Sequence, residues 1–137
     1  MTLVVVEDSD DDANMTLRGL RKLTPQPEIE LIADGATALH RLLEQPCPSL
    51  VFLDLKLPKV HGFDILAGVR ANKASADLQV VVFTSSDEPN DVRRANELGC
   101  CEYVKKPIEW DRYIRLVCRT AAKHLPGTYC PDGDNWK

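Results

Sequence analysis

Glu7 and Asp8 follow the apolar run Leu3–Val6. Asp54 follows Leu50–Leu53, Thr84 follows Val80–Phe83, and Lys106 comes two residues after Val104. These positions offer carboxylates, a hydroxyl and an ammonium, each just past a short apolar stretch. Three carboxylates brought together repel one another, and a divalent cation relieves that cost. Oxygen-only ligands suit magnesium, which keeps several waters and favours a phosphate partner. A carboxylate can also attack phosphorus and form an aspartyl-phosphate. Such a transfer needs positioning and charge on the equatorial oxygens, which the metal, the Thr84 hydroxyl and the Lys106 ammonium could supply.

Taken singly, each residue has a plainer role. Acids at a strand end cap the next helix or sit in solvent, Thr84 could serve a turn, and Lys106 could be a solvated surface lysine. Asp54 is harder to place that way, because an acid after four apolar residues needs a partner. Complementary groups arriving from separate strand ends favour the chemical reading.

The elements that must position these groups alternate. Thr2–Val6, Ile29–Ala33, Ser49–Leu53, Leu78–Phe83 and Glu102–Val104 read as strands. Asp12–Leu23, Ala36–Glu44, Phe63–Asn72, Asp87–Leu98 and a stretch from Pro107 to about Lys123 read as helices. Thr24-Pro25-Gln26-Pro27 breaks the first helix, Asp34 can cap the second, and Gly99 stops the fourth. The pattern predicts an α/β domain over residues 1–124, a doubly wound five-stranded parallel sheet with helices on both faces. In such a sheet function sits at the carboxyl ends of the strands, which is where the five residues fall. Residues 125–137 form a tail rich in Pro and Gly. Tyr129, Cys130 and Trp136 in it predict either a frayed end or a segment packed on the last helix.

The net charge of −4 and the scattered Lys and Arg lack the basic patch of a nucleic-acid binder. No apolar run approaches the ~20 residues of a membrane helix, so a cytoplasmic protein is expected. Five cysteines, an odd number without C-x-x-C spacing, predict free thiols in a reducing compartment rather than a zinc site.

The segments VVVEDSDDD (Val4–Asp12), LVFLDLKLPKVHGFDIL (Leu50–Leu66), VVVFTSSDEP (Val80–Pro89) and LGCCEYVKKP (Leu98–Pro107) together resemble the receiver domains of two-component response regulators. The resemblance spans about 100 residues. It implies a flavodoxin-like fold with strand order 2-1-3-4-5, and Asp54 as phosphoacceptor. It places Glu7 and Asp8 around Mg2+, with the Lys56 backbone carbonyl as a further ligand. Thr84 and Lys106 would hold the phosphoryl group, and Tyr103 would change rotamer together with Thr84. The Lys106–Pro107 bond resembles the family's cis peptide, which would aim Lys106 into the site. Lys56 and Ser86 match positions that tune the lifetime of the phosphorylated form. Glu7 departs from the commoner aspartate, and Cys100-Cys101 replaces smaller residues. The S-D-D-D run, LKLPKVHG and TSSDEPNDVRRA are similar to single-domain regulators paired with bacterial phytochrome-type histidine kinases. Such regulators often dimerise through the face formed by their fourth helix, fifth strand and fifth helix.

The first function this implies is a phosphorylated switch that binds partners. A phosphatase of aspartyl-phosphate type would want a general acid two residues after its nucleophile, where Lys56 serves poorly at neutral pH. A receiver that binds without phosphorylation would not need every site position filled with a suitable type.

Overall fold

A computed structural model describes residues 1–131. Five strands and five helices alternate: β1 (Thr2–Val6), α1 (Asp10–Leu20), β2 (Glu28–Ile32), α2 (Gly35–Leu43), β3 (Leu50–Leu53), α3 (Gly62–Ala71), β4 (Val80–Thr84), α4 (Pro89–Glu97), β5 (Glu102–Lys105) and α5 (Trp110–His124). All pairings are parallel and the order is β2-β1-β3-β4-β5. This is the expected doubly wound, flavodoxin-like arrangement. Among the described residues no helix is long and apolar enough to cross a membrane.

The unbroken apolar runs of β3 and β4 follow from their place in the middle of the sheet. Successive side chains point to opposite faces, and both faces carry helices. Val4, Val6, Val51, Leu53, Val80 and Val82 join one core cluster with Leu42, Ile65, Leu66 and Val69 from α2 and α3. Leu3, Val5, Leu50, Phe52, Val81 and Phe83 join another with Leu20, Tyr113, Val117 and Ala121 from α1 and α5. Helices α1 and α5 touch closely at Gly19. A Cβ there would lie 2.7 Å from the Ile114 carbonyl oxygen and 2.8 Å from the Val117 Cβ.

The helices start where local chemistry lets them. Ser9 caps α1 by accepting from the Asp12 amide, and Asp10, Asp11 and Asp12 fill its first turn, where the helix dipole favours negative charge. This starts α1 two residues before the expected Asp12. Leu23, past its end, is still buried. Asp34 caps α2 through the Thr37 amide at 2.8 Å. Gly99 follows α4 with φ +83°, a conformation that favours glycine. Helix α4 has one fully buried residue, Ala95. Helix α5 begins at Trp110 rather than Pro107, leaving Ile108 94% exposed in the preceding loop.

The cysteines depart from expectation. Cys118 and Cys130 form a disulfide, with Cα atoms 6.1 Å apart, while Cys47, Cys100 and Cys101 are free. Spacing alone does not reveal the pair, because the fold makes it. Leu125 is buried in the α1–α5 cluster, and the chain after it turns back to form an antiparallel bridge between Tyr129 and Thr24. Thr24 and Tyr129 exchange N–H···O bonds of 3.0 and 2.9 Å, which brings Cys130 over Cys118. Trp136 lies outside the described residues. A cross-link closing a loop of this length should stabilise the chain by about 3 kcal/mol. Dithiothreitol should therefore lower the urea midpoint of the wild-type chain and leave that of Cys130→Ser unchanged.

Candidate functional site

The carboxyl ends of β1, β3 and β4, with the turn after β5, meet at one edge of the sheet. Asp54 directly follows β3, and its amide donates to the Val6 carbonyl at 3.1 Å. Glu7 directly follows β1, and its amide donates to the Ile32 carbonyl at 3.0 Å. Lys106 follows β5 and donates its amide to the Thr84 carbonyl at 2.7 Å. Backbone bonds of the extended ladder therefore fix each side chain's origin.

Gly62 completes the scaffold. A Cβ there would stand 2.6 Å from the Leu55 Cα and 2.7 Å from the Asp54 carbonyl oxygen. The chain entering α3 thus presses on the acid's own backbone, and only glycine permits the approach. The Gly62 amide donates to the Leu55 carbonyl at 2.9 Å. The turn before it carries Lys59 at φ 68°.

The side chains converge as the sequence predicts. Glu7, Asp8 and Asp54 each offer a carboxylate oxygen, and these lie within 4.8 Å of one another. Glu7 and Asp54 are buried while Asp8 is exposed, so the cluster opens to solvent on one side. Lys106 reaches into it, its Nζ 2.5 Å from Glu7 Oε1, 3.0 Å from Asp54 Oδ2 and 2.9 Å from Asp12 Oδ2. Burial works against the lysine's charge, but Asp54, Glu7 and Asp12 outweigh it and hold its pKa above the ordinary lysine value. Burial and the nearby Asp54 charge push Glu7 up from 4.5 to about 7, against the pull of Lys106. One ammonium among several carboxylates leaves unbalanced negative charge, and the all-oxygen donor set suits a hard divalent cation.

The Thr84 hydroxyl is wholly buried and has no hydrogen-bond partner, alone among buried side-chain polar atoms of the described residues. Such a group is costly unless something bonds to it, and it lies at the end of β4, the strand whose carboxyl end joins the cluster. The Lys56 amide donates to Asp54 Oδ1 at 3.3 Å, while the Lys56 side chain is exposed.

Other expected residues sit differently. The cis peptides among the described residues are Thr24–Pro25 and Gln45–Pro46, so Lys106–Pro107 is trans, contrary to expectation. Lys106 needs no cis bond to be aimed, because its amide bond to Thr84 and three carboxylates already direct it. Ser86 does not overhang the cluster as an open hydroxyl. Its Oγ donates to Asp91 Oδ2 at 2.7 Å and accepts from the Glu88 amide at 3.4 Å, tying down the start of α4. Tyr103 is half-buried and donates its hydroxyl to the Ser86 carbonyl at 2.7 Å. Asp12 was missed as a site residue. The available signal was its place in the first turn of α1, where side chains lean back toward the N-terminus and the strand ends.

Residues 3–117 match the response regulator receiver domain, and the chain belongs to that family. It is 33% identical to the probable methanogenesis regulatory protein FilR2 of Methanothrix harundinacea, over 84% of this chain and 77% of that protein. It is 34% identical to response regulator Rcp1 of Synechocystis sp., over 84% and 82%. The structure of Mn2+-bound Rcp1 superposes with a TM-score of 0.86, covering 95% of this chain and 98% of that one. The bacteriophytochrome response regulator RtBRR superposes with a TM-score of 0.73 at 36% identity, covering 88% and 75%.

The raised Glu7 pKa has a signed consequence for stability. Between 4.5 and about 7 the folded chain keeps a proton that the unfolded chain has released. This contribution is full below 4.5 and is lost as pH rises through about 7. In metal-free buffer, urea-unfolding free energies of the wild type should therefore decline from pH 5 to about 7 with a slope approaching about one proton, and level off above that. Glu7→Gln, which does not titrate, should flatten that slope.

Proposed function

We propose that this chain accepts a phosphoryl group from a histidine kinase onto Asp54 in a Mg2+-dependent reaction, and works as a cytoplasmic signalling switch. The observation carrying this reading is the buried Asp54 carboxylate beside Lys106, with an orphaned Thr84 hydroxyl at the same strand edge. Membership of the receiver family supports it.

In this reading an Asp54 oxygen attacks phosphorus, a P–O bond forms, the P–N bond to the kinase imidazole breaks, and its electron pair returns to the imidazole nitrogen. The Thr84 hydroxyl and a Lys106 N–H then bond phosphoryl oxygens. Glu7, Asp8, Asp54 and the Lys56 carbonyl are the groups that would hold Mg2+. When bound, the metal would offset charge on the carboxylates and the transferring oxygens. Thr84, once drawn to the phosphoryl group, vacates space toward Tyr103. The change would then be read on the α4-β5-α5 face, where Ile108 and Trp110 are exposed.

That face would serve a partner or a second copy of the chain. The similarity to the bacteriophytochrome response regulator RtBRR supports a phytochrome-type kinase as the phosphoryl source. Residues 125–137 would be a tail appended to the receiver proper, residues 1–124.

Incubation with phosphoramidate and Mg2+ should add one base-labile phosphoryl group, measured by intact mass. Asp54→Asn should reduce the rate by at least about a hundredfold. Incorporation into the Asn variant at the wild-type rate would remove Asp54 from the role.

Lys56 is proposed to protect the acyl phosphate. Its exposed side chain leaves the backbone two residues after Asp54 and can cover the path of an attacking water. Because the Ser86 hydroxyl is engaged by Asp91, Lys56 remains the residue to tune lifetime. Lys56→Ala should speed phosphoryl loss by roughly fivefold, the equivalent of about 1 kcal/mol for an exposed charge, with little effect on its acceptance. The decay of phosphorylated protein after donor removal gives this rate.

A further inference from the structure

We infer that Asp12 is a positioning residue that keeps Lys106 aimed at the site while the other carboxylates are taken up by metal and phosphoryl group. The inference rests on the phosphoacceptor reading of Asp54.

An ammonium has three N–H donors. In this chain they face Glu7 Oε1 at 2.5 Å, Asp12 Oδ2 at 2.9 Å and Asp54 Oδ2 at 3.0 Å. Two of these partners have other duties. Glu7 and Asp54 belong to the cluster of convergent carboxylates that can hold a cation, and Asp12 does not. When Asp54 carries a phosphoryl group, one of its oxygens becomes the bridging oxygen of the acyl phosphate and the charge moves outward. The N–H that faced Asp54 is then the one free to turn to a phosphoryl oxygen. Asp12 is the carboxylate whose charge neither event uses.

The backbone of Asp12 is held independently of the strand edge. Its carbonyl accepts from Thr16 Oγ1 at 2.8 Å and from the Tyr113 hydroxyl at 3.1 Å, and those two hydroxyls lie 2.9 Å apart. Its amide donates to the capping Ser9. Tyr113 is 1% exposed and packs edge-on against Phe83 of β4, with ring centroids 5.0 Å apart. Asp12 therefore stands on the α1–α5 layer, tied through Tyr113 to the strand that carries Thr84. A four-carbon lysine stem is flexible, and ordering it at the moment of reaction is costly. An anchor on the helical layer orders it beforehand.

The alternative is that Asp12 competes with the phosphoryl group for the lysine. The two differ in sign. An anchor makes Asp12→Asn slower at saturating Mg2+, while a competitor makes it faster.

The test measures phosphorylation by phosphoramidate in the full chain, together with calorimetric Mg2+ affinity. Asp12→Asn should lower the maximal rate roughly tenfold, as loss of a charged hydrogen bond does, with the donor concentration at half-maximal rate little changed. Mg2+ affinity should stay within about threefold of wild type, because the lost charge is outside the ligand cluster and was already offset by Lys106. Asp12→Glu, which keeps the carboxylate, should recover part of the rate and guards against a misfolded Asn variant. In a Lys106→Met background, Asp12→Asn should add no further loss. An equal or faster Asp12→Asn rate, or an undiminished loss in the Lys106→Met background, overturns the inference. If the wild type and Asp54→Asn both fail to gain phosphate, the phosphoacceptor reading falls and this inference with it. Normal wild-type phosphorylation with a silent Asp12 overturns the inference alone.

Discussion

Like charges held close together at the edge of an apolar sheet are the constraint on which this molecule turns. Glu7 and Asp54 are both buried, and the exposed Asp8 is close enough to share a cation with them. Such an arrangement is unfavourable in isolation and persists because other interactions compensate. Lys106 supplies part of the compensation through three carboxylate contacts. Burial alone would lower the charge on that lysine, and its carboxylate neighbours restore it. Removing Lys106 would leave the buried Glu7 and Asp54 carboxylates without their shared cation.

The sheet makes the arrangement possible. Parallel strands point all their carboxyl ends the same way, so four separate segments can each deliver a side chain to one rim. The apolar runs that bury the strands also end at that rim, so the first polar residue after each run arrives with its backbone already bonded to a neighbouring strand. Tight contacts at Gly62 and at Gly19 then fix the loop and the helices around it.

This logic explains what was legible in the sequence. Val4–Val6, Leu50–Leu53 and Val80–Phe83 are unbroken apolar runs because both faces of the sheet are covered. The acids and the threonine at their ends could therefore be read directly, and Lys106 from its place just after β5. Less legible were features that depend on where a side chain turns once it arrives. Ser86 matches a position that tunes phosphoryl lifetime, but Asp91 on the next helix claims its hydroxyl. Asp12 read only as the start of a helix, and the fold sets it against Lys106. The Cys118–Cys130 pair depends on the chain after α5 folding back to Thr24, which no local spacing encodes. The trans bond before Pro107 shows that a motif can match while the backbone isomer differs.

Helix α4 contrasts with its neighbours. Where α5 sinks Tyr113, Ile114, Val117, Cys118, Thr120 and Ala121 into the interior, α4 sinks Ala95 alone. Burial of one methyl-sized side chain contributes about 1 kcal/mol, not far above the thermal energy of about 0.6 kcal/mol. The polypeptide between β4 and β5 is thus held less by buried side chains of its helix than by edge contacts, such as Arg94 over the Phe63 ring at 4.8 Å and the half-buried Leu98 against the core. It begins at the strand that ends in Thr84, and the tyrosine hydroxyl of Tyr103 tethers its leading loop at the Ser86 carbonyl. A small rearrangement at the rim would therefore meet less buried packing along α4 than along α5.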